Sequence, residues 1–168
     1  SLTFADAKGA RLIEHAPPTQ DITRLKLSSD GRRAVGATEE GSLLRWDLSS
    51  RPAQMRTWRL HKRETMCIDV SNAGEVLSTS MDGTAVFSRL GADSVNTAAW
   101  EGDGPGDEKW MESCALGEDR AIVSSSTGRA WVIDPAKPGV KSELRHRIGA
   151  AHVGSINSIA LAAPDIAI

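Results

Sequence analysis

The residues of this 168-residue chain that could do chemistry are four histidines, two cysteines, a run of hydroxyl side chains and one glycine-acid loop. His61 and His152 are the candidate bases or metal ligands, because imidazole titrates near neutrality and binds zinc well. No cysteine or carboxylate cluster stands at zinc-like spacing beside them, so each is read first as a histidine held by a turn aspartate. Ser124-Ser125-Ser126-Thr127 offers hydroxyls for a nucleophile or a phosphosite. No Gly-x-Ser-x-Gly elbow surrounds that run, and a strand end with its following turn is the plainer reading. Gly102-Asp103-Gly104-Pro105-Gly106-Asp107-Glu108 has the look of a calcium or phosphate loop. It lacks alternating acidic ligands closed by a distant Glu, and it lacks the Lys and helix start of a phosphate cradle. It therefore reads as a long connecting loop, open to a partner contact. Cys67 and Cys114 are too few for a disulfide framework and read as buried, inert thiols in a reducing, intracellular setting.

Composition narrows the classes further. Hydrophobic residues make up 40% and charged residues 25%, as in a packed domain, and the net charge is −2. No global basic field would gather nucleic acid or an anionic membrane. The basic stretch Arg51, Arg56, Arg59, His61, Lys62 and Arg63 is local and includes Trp58. On a strand Arg56 and Trp58 share one face and Arg59 takes the other, so a solvated outer strand is expected, with an acidic protein partner next in line and RNA a minor alternative. No apolar stretch approaches 18 residues, so these residues contain no candidate membrane helix. No cofactor is expected.

The elements that must position these side chains repeat along the chain. Leu25-Lys26-Leu27-Ser28-Ser29-Asp30-Gly31 matches Ile68 to Gly74, then Cys114 to Arg120, then Ile159 to Asp165, at shifts of about 43, 46 and 45 residues. Each copy has apolar residues at its first and third positions and then a turn. Three residues before each copy stand Ile22, Thr65, Met111 and Ile156. A second landmark keeps the same register: Gly41-Ser-Leu-Leu-Arg-Trp46-Asp47 aligns with Gly83 to Arg89 and with Gly128 to Asp134. Alternation after a glycine turn predicts hairpin strands. The expected strands are 2–5, 10–15, 22–28, 33–38, 42–48, 53–59, 65–71, 75–80, 84–89, 94–100, 110–116, 120–125, 129–134, 141–148, 155–162 and 165–168. His15 and His146 fall near outer strands and are read as solvated.

Asp30-Gly31 followed by Glu40-Gly41-Ser-Leu-Leu-Arg-Trp46-Asp47 resembles the WD-repeat signature, and Asp82-Gly83-Thr84 is similar to that family's tight turn. His61 and His152 stand where the family places its glycine-histidine dipeptide, though neither directly follows Gly. Only one unit keeps Trp-Asp; the others have Ala5-Asp6, Ser88-Arg89 and Ile133-Asp134. The family's buried His, Ser/Thr, Asp and Trp set is complete in no unit, and the second comes nearest with His61, Ser78 and Asp82.

This resemblance implies an all-β fold, a β-propeller of four-stranded antiparallel blades with about four blades' worth of strands. Residues 1–18 would close a preceding blade, 19–61, 62–104 and 105–150 would be whole blades, and 151–168 would start another. Ser1 falls in mid-motif, so a section of a seven- or eight-bladed ring is preferred over halves that join into four blades. The family also implies a non-catalytic platform for protein partners, usually in a multiprotein assembly, using loops that lead into the inner strands. On this chain those positions are Arg24; Lys62, Arg63, Glu64 and Met66; Trp110 and Glu112; and Ser155 and Asn157. Trp110 is either an interface anchor or a side chain packed between blades. The alternative function is nucleotide exchange on a small coat-type GTPase, from a likeness around Gly106 to Cys114 and Asp30-Gly31 to Gly41 to membrane-anchored activators with degenerate blades.

Overall fold

The computed structural model describes residues 2–5, 11–15, 21–50, 54–90, 95–102, 110–137, 141–144, 154–163 and 166–167. Every regular element among them is a β-strand, and the sixteen strands form five antiparallel sheets. A two-stranded sheet pairs β1 (Leu2–Ala5) with β2 (Arg11–His15). The first blade is β3 (Ile22–Leu27), β4 (Arg33–Thr38), β5 (Ser42–Asp47) and β6 (Gln54–Arg59). The second is β7 (Thr65–Val70), β8 (Glu75–Ser80), β9 (Thr84–Leu90) and β10 (Val95–Glu101). The third is β11 (Met111–Leu116), β12 (Ala121–Ser125), β13 (Ala130–Ile133) and β14 (Lys141–Leu144). A last two-stranded sheet pairs β15 (Leu161–Ala163) with β16 (Ile166–Ala167). In each blade the spatial order follows the chain, because short turns join neighbours and antiparallel pairing needs no crossover.

The landmark glycine of each repeat makes the turn between the second and third strands. Gly41, Gly83 and Gly128 have φ of 85°, 85° and 78°, a left-handed conformation that a Cβ disfavours. Each donates its N–H to the carbonyl three residues earlier, on Thr38, Ser80 and Ser125. Gly41 is also close-packed. A Cβ there would lie 2.5 Å from the carbonyl oxygen of His61 and 2.7 Å from that of Arg63.

Between blades the packing follows the period-2 alternation of the strands. Val35, Ala37 and Leu43 of the first blade meet Ile68, Val70 and Val76 of the second. Leu77, Ala85, Phe87, Ala98 and Trp100 of the second meet Met111, Cys114, Val123, Trp131 and Ile133 of the third. Burying such a Leu or Phe stabilises by about 1.5–3 kcal/mol relative to leaving it exposed. Trp46 is fully buried with Ala34 and Leu44 on the other side of the first blade. There Leu25 and Leu27 stay 47% and 50% exposed, whereas their repeat equivalents Ile68 and Val70 are 6% and 8% exposed under the preceding blade.

Two expectations are corrected. Cys67 and Cys114 are not separate thiols. They form a disulfide across the seam between the second and third blades, with Cα atoms 5.9 Å apart. Second, the strand expected at 155–162 begins only at Leu161. Residues 154–160 carry inner-strand spacing, but their backbone bonds largely to side chains of the third blade: Ser124 Oγ donates to the Ile156 carbonyl (2.8 Å), and the Ile159 N–H donates to Ser113 Oγ (3.0 Å). The strand expected over 141–148 is seen to Leu144, and 145–150 lie outside the described residues, as do His146, His152 and the loop at 103–109.

Candidate functional site

The inner strands β3, β7 and β11, with residues 154–160, are stitched side by side. Arg24 Nε donates to the Met66 carbonyl (2.8 Å), and Lys26 Nζ lies 3.4 Å from Asp69 Oδ1. Asp69 Oδ2 accepts the Leu116 N–H (2.9 Å), and Ser155 Oγ is 3.3 Å from Glu112 Oε1. Arg24–Met66 and Ser155–Glu112 tie the entry ends of neighbouring inner strands, and Lys26–Asp69–Leu116 ties their exit ends.

Each inner strand slips register near its entry. The pairing skips between Ile22 and Arg24, between Thr65 and Cys67, and between Met111 and Cys114. Such bulges leave one residue unpaired and re-aim its side chain. The skipped residues are Thr23, Met66 and Glu112 with Ser113, so Met66 and Glu112 owe their place on this end to the bulge. In the first blade the repeat equivalent of Met66 is Thr23, and Arg24 follows it directly. The Arg24 guanidinium is drawn onto the Met66 and Thr23 carbonyls and serves the seam. The repeat alignment already places Thr23 opposite Met66, which is the signal that could have found it.

The loop carrying Lys62 and Arg63 is held by a buried polar network in the second blade. His61 is 2% exposed. Its Nδ1 lies 2.9 Å from Thr84 Oγ1 and its Nε2 2.8 Å from Ser78 Oγ. Thr84 donates its hydroxyl (2.6 Å) and its N–H (2.9 Å) to Asp82 Oδ1. With that hydroxyl proton committed, Thr84 accepts from Nδ1–H, while Ser78 Oγ sits between Nε2 and the Val86 carbonyl, 3.3 Å away. The Asp expected to hold His61 thus reaches it mainly through Thr84, with Asp82 Oδ2 at 3.5 Å from Nδ1. In the place of the missing Trp, Ser88 donates to the Val76 carbonyl at 3.3 Å.

Asp82 Oδ2 also accepts the Lys62 N–H (2.8 Å), Ser80 Oγ donates to the Arg63 carbonyl (3.2 Å), and the Met81 N–H donates to the Glu64 carbonyl (3.0 Å). Residues 62–64 are therefore pinned through their backbone while the side chains of Lys62 and Arg63 stay exposed. The third blade repeats one of these ties, Ser126 N–H to the Trp110 carbonyl (2.9 Å). Trp110, Glu64, Met66 and Glu112 are half-buried, and Ser155 and Asn157 are exposed. The indole Nε1 of Trp110 is buried without a hydrogen-bond partner among the described residues.

Burial alone would raise the Asp82 carboxyl, but hydrogen bonds from His61, Thr84 and the Lys62 N–H override it and hold the group well below the usual carboxylate range. A group depressed in the folded state adds stability above its unfolded value, near 4, and loses that contribution as pH falls through its folded value. Asp82→Asn is therefore expected to lower the melting temperature by a constant amount above about pH 5, with the gap to the parent narrowing as pH drops below about 4. Parallel melting curves down to pH 3 would contradict this.

The other chemical candidates are absorbed by structure. Ser124 is tied to Ile156, and Ser125 Oγ bonds Thr127 Oγ1 (2.8 Å) inside the turn. Among the described residues no group of three or more His, Cys, Asp or Glu side chains could hold a metal. A cleft of about 630 Å³ opens at the exit ends of the inner strands, between Lys26, Asp69, Asn72 and Glu118. Two of its charged groups, Lys26 and Asp69, are already engaged across the blade seams.

Four-stranded meanders packed face to face through their inner strands define a WD40-like β-propeller section. Solved structures bear out the class. The chain superposes on the crystal structure of the computationally designed Ika4 protein with a TM-score of 0.68 at 20% identity, covering 90% of this chain and 86% of that one. It superposes on the RRP9 WD40 repeats with a TM-score of 0.66 at 14% identity, covering 86% of this chain. It spans 43% of that second structure, less than half its length. No family model and no curated protein sequence matches the chain.

Proposed function

We propose that the chain is a non-catalytic docking platform that holds a protein partner on the inner-strand entry face, as part of a larger protein or assembly. The observation that carries this reading is the pinned loop 62–64, which presents Lys62 and Arg63 beside the bulged Met66 and Glu112 and the half-buried Trp110. Preorganised charges and an accessible aromatic cost little ordering entropy on binding. WD40-like propellers being platforms of this kind supports the assignment. Nucleotide exchange has no observation of its own in the described geometry and is not carried further.

Neither Lys62 nor Arg63 has an ion-pair partner among the described residues, which suits an acidic partner segment and predicts capture that weakens as salt rises. Lys62→Glu and Trp110→Ala are the test. Each is expected to weaken capture by about 2 kcal/mol, roughly thirtyfold, with the β-sheet circular dichroism unchanged. Capture at the parent level by both variants would discard this face while leaving the fold standing.

A further inference from the structure

We propose that Cys67–Cys114 is a site of reversible oxidation, a latch whose state sets the geometry of the docking face. The inference rests on the docking reading above. The disulfide joins inner strands of two different blades, not two strands of one sheet. It also lies at the bulges. Cys67 directly follows the bulged Met66, and Cys114 is where pairing resumes after Glu112 and Ser113. Among the described residues, hydrogen bonds of Cys67 and Asp69 also join β7 to β11 there. Cys67 Sγ accepts the Cys114 N–H (3.1 Å), and further along the seam Asp69 accepts the Leu116 N–H. The latch therefore controls how the Met66 and Glu112 side chains stand relative to each other.

Access decides the order of the chemistry. Cys67 is half-buried and Cys114 is 5% exposed. The oxidant is a low-molecular-weight disulfide of the glutathione type. The Cys67 thiolate attacks one sulfur of that disulfide, breaking its S–S bond, releasing one small thiol and leaving a mixed disulfide on Cys67. The Cys114 thiolate then attacks Cys67 Sγ, forming the intramolecular bond and expelling the second small thiol. Two electrons pass from the protein dithiol to the external disulfide, and the two cysteine protons end on the two released thiols. Excess small thiol runs the same steps backwards.

The test equilibrates the full chain in reduced or oxidised glutathione and follows three quantities. Alkylation with mass analysis counts thiols, hydrogen exchange reports the amides of Met66, Glu112 and Cys114, and capture of the partner reports docking. The expected result is two alkylatable thiols when reduced and none when oxidised. Exchange at those amides should rise about tenfold or more on reduction, with β8 and β12 unchanged, and capture should change with it. Cys67→Ser should behave like the reduced chain in either buffer. Thiols that remain alkylatable in oxidised glutathione, or exchange that ignores redox state, would overturn the latch whether or not the partner binds. Exchange that responds while Lys62→Glu and Trp110→Ala both capture normally would leave the latch in place and remove the docking reading beneath it.

Discussion

Trp131→Ala is expected to lower the unfolding free energy by about 3–5 kcal/mol, the range for deleting a buried Trp or Phe side chain. Trp131 is 2% exposed on β13, paired with Val123 and Glu143. It belongs to the cluster in which Leu77, Phe87 and Trp100 of the second blade meet Cys114, Val123 and Ile133 of the third. The cavity would open where two sheets share one core, and neither sheet can collapse onto it without moving the other. Against a typical total of about 5–15 kcal/mol, such a loss leaves the chain close to unfolding. Trp58→Ala is the control, because Trp58 is only partly buried against its cluster and should cost distinctly less. Equal denaturation midpoints for the two variants would contradict the blade-to-blade core.

Gly41→Ala is expected to cost about 2–4 kcal/mol, and to weaken docking as well. The left-handed backbone accounts for about 1–2 kcal/mol of this. The rest comes from the clash, because the new methyl would press on the carbonyls of His61 and Arg63, which are backbone atoms with no rotamer to escape into. Those carbonyls belong to the loop that presents Lys62 and Arg63, and the Gly41 carbonyl itself accepts the N–H groups of Leu60 and His61. Gly31→Ala separates the two contributions. Gly31 has φ of 67° but nothing within 4 Å of a built Cβ, so only the backbone cost applies. A Gly41→Ala variant as stable as Gly31→Ala would mean the loop yields freely and is not the pinned element described.

The repeat was legible because it is written in one dimension. Alternation and glycine turns recur at a nearly fixed shift, and the strands fall where that register puts them, from Ile22–Leu27 to Ala130–Ile133. What was not legible depends on how blades slide past one another. Cys67 is the repeat equivalent of Arg24, whereas Cys114 is the equivalent of Leu25, so nothing in the intrablade register sets them opposite each other. They meet because β7 and β11 are staggered by one residue, as the separation of 47 for both Cys67–Cys114 and Asp69–Leu116 records. Bulges are hidden for a similar reason: a slip at Met66 is a property of pairing with β8 and leaves no mark on composition. The His61 network was half visible. Ser78 and Asp82 stood at family positions, but Thr84 as the bridge depends on a hydroxyl placed by the Asp82-Gly83 turn.

The most direct test of the docking platform is site-specific photo-crosslinking to the captured partner, with the crosslinker placed in turn at positions 62, 112 and 118. Lys62 and Glu112 lie at the entry ends of the inner strands, and Glu118 lies in the turn after β11 at the opposite end. Adducts are expected from 62 and 112 and none from 118. Adducts from 118 alone would place the partner on the other end of the blades and contradict the docking face.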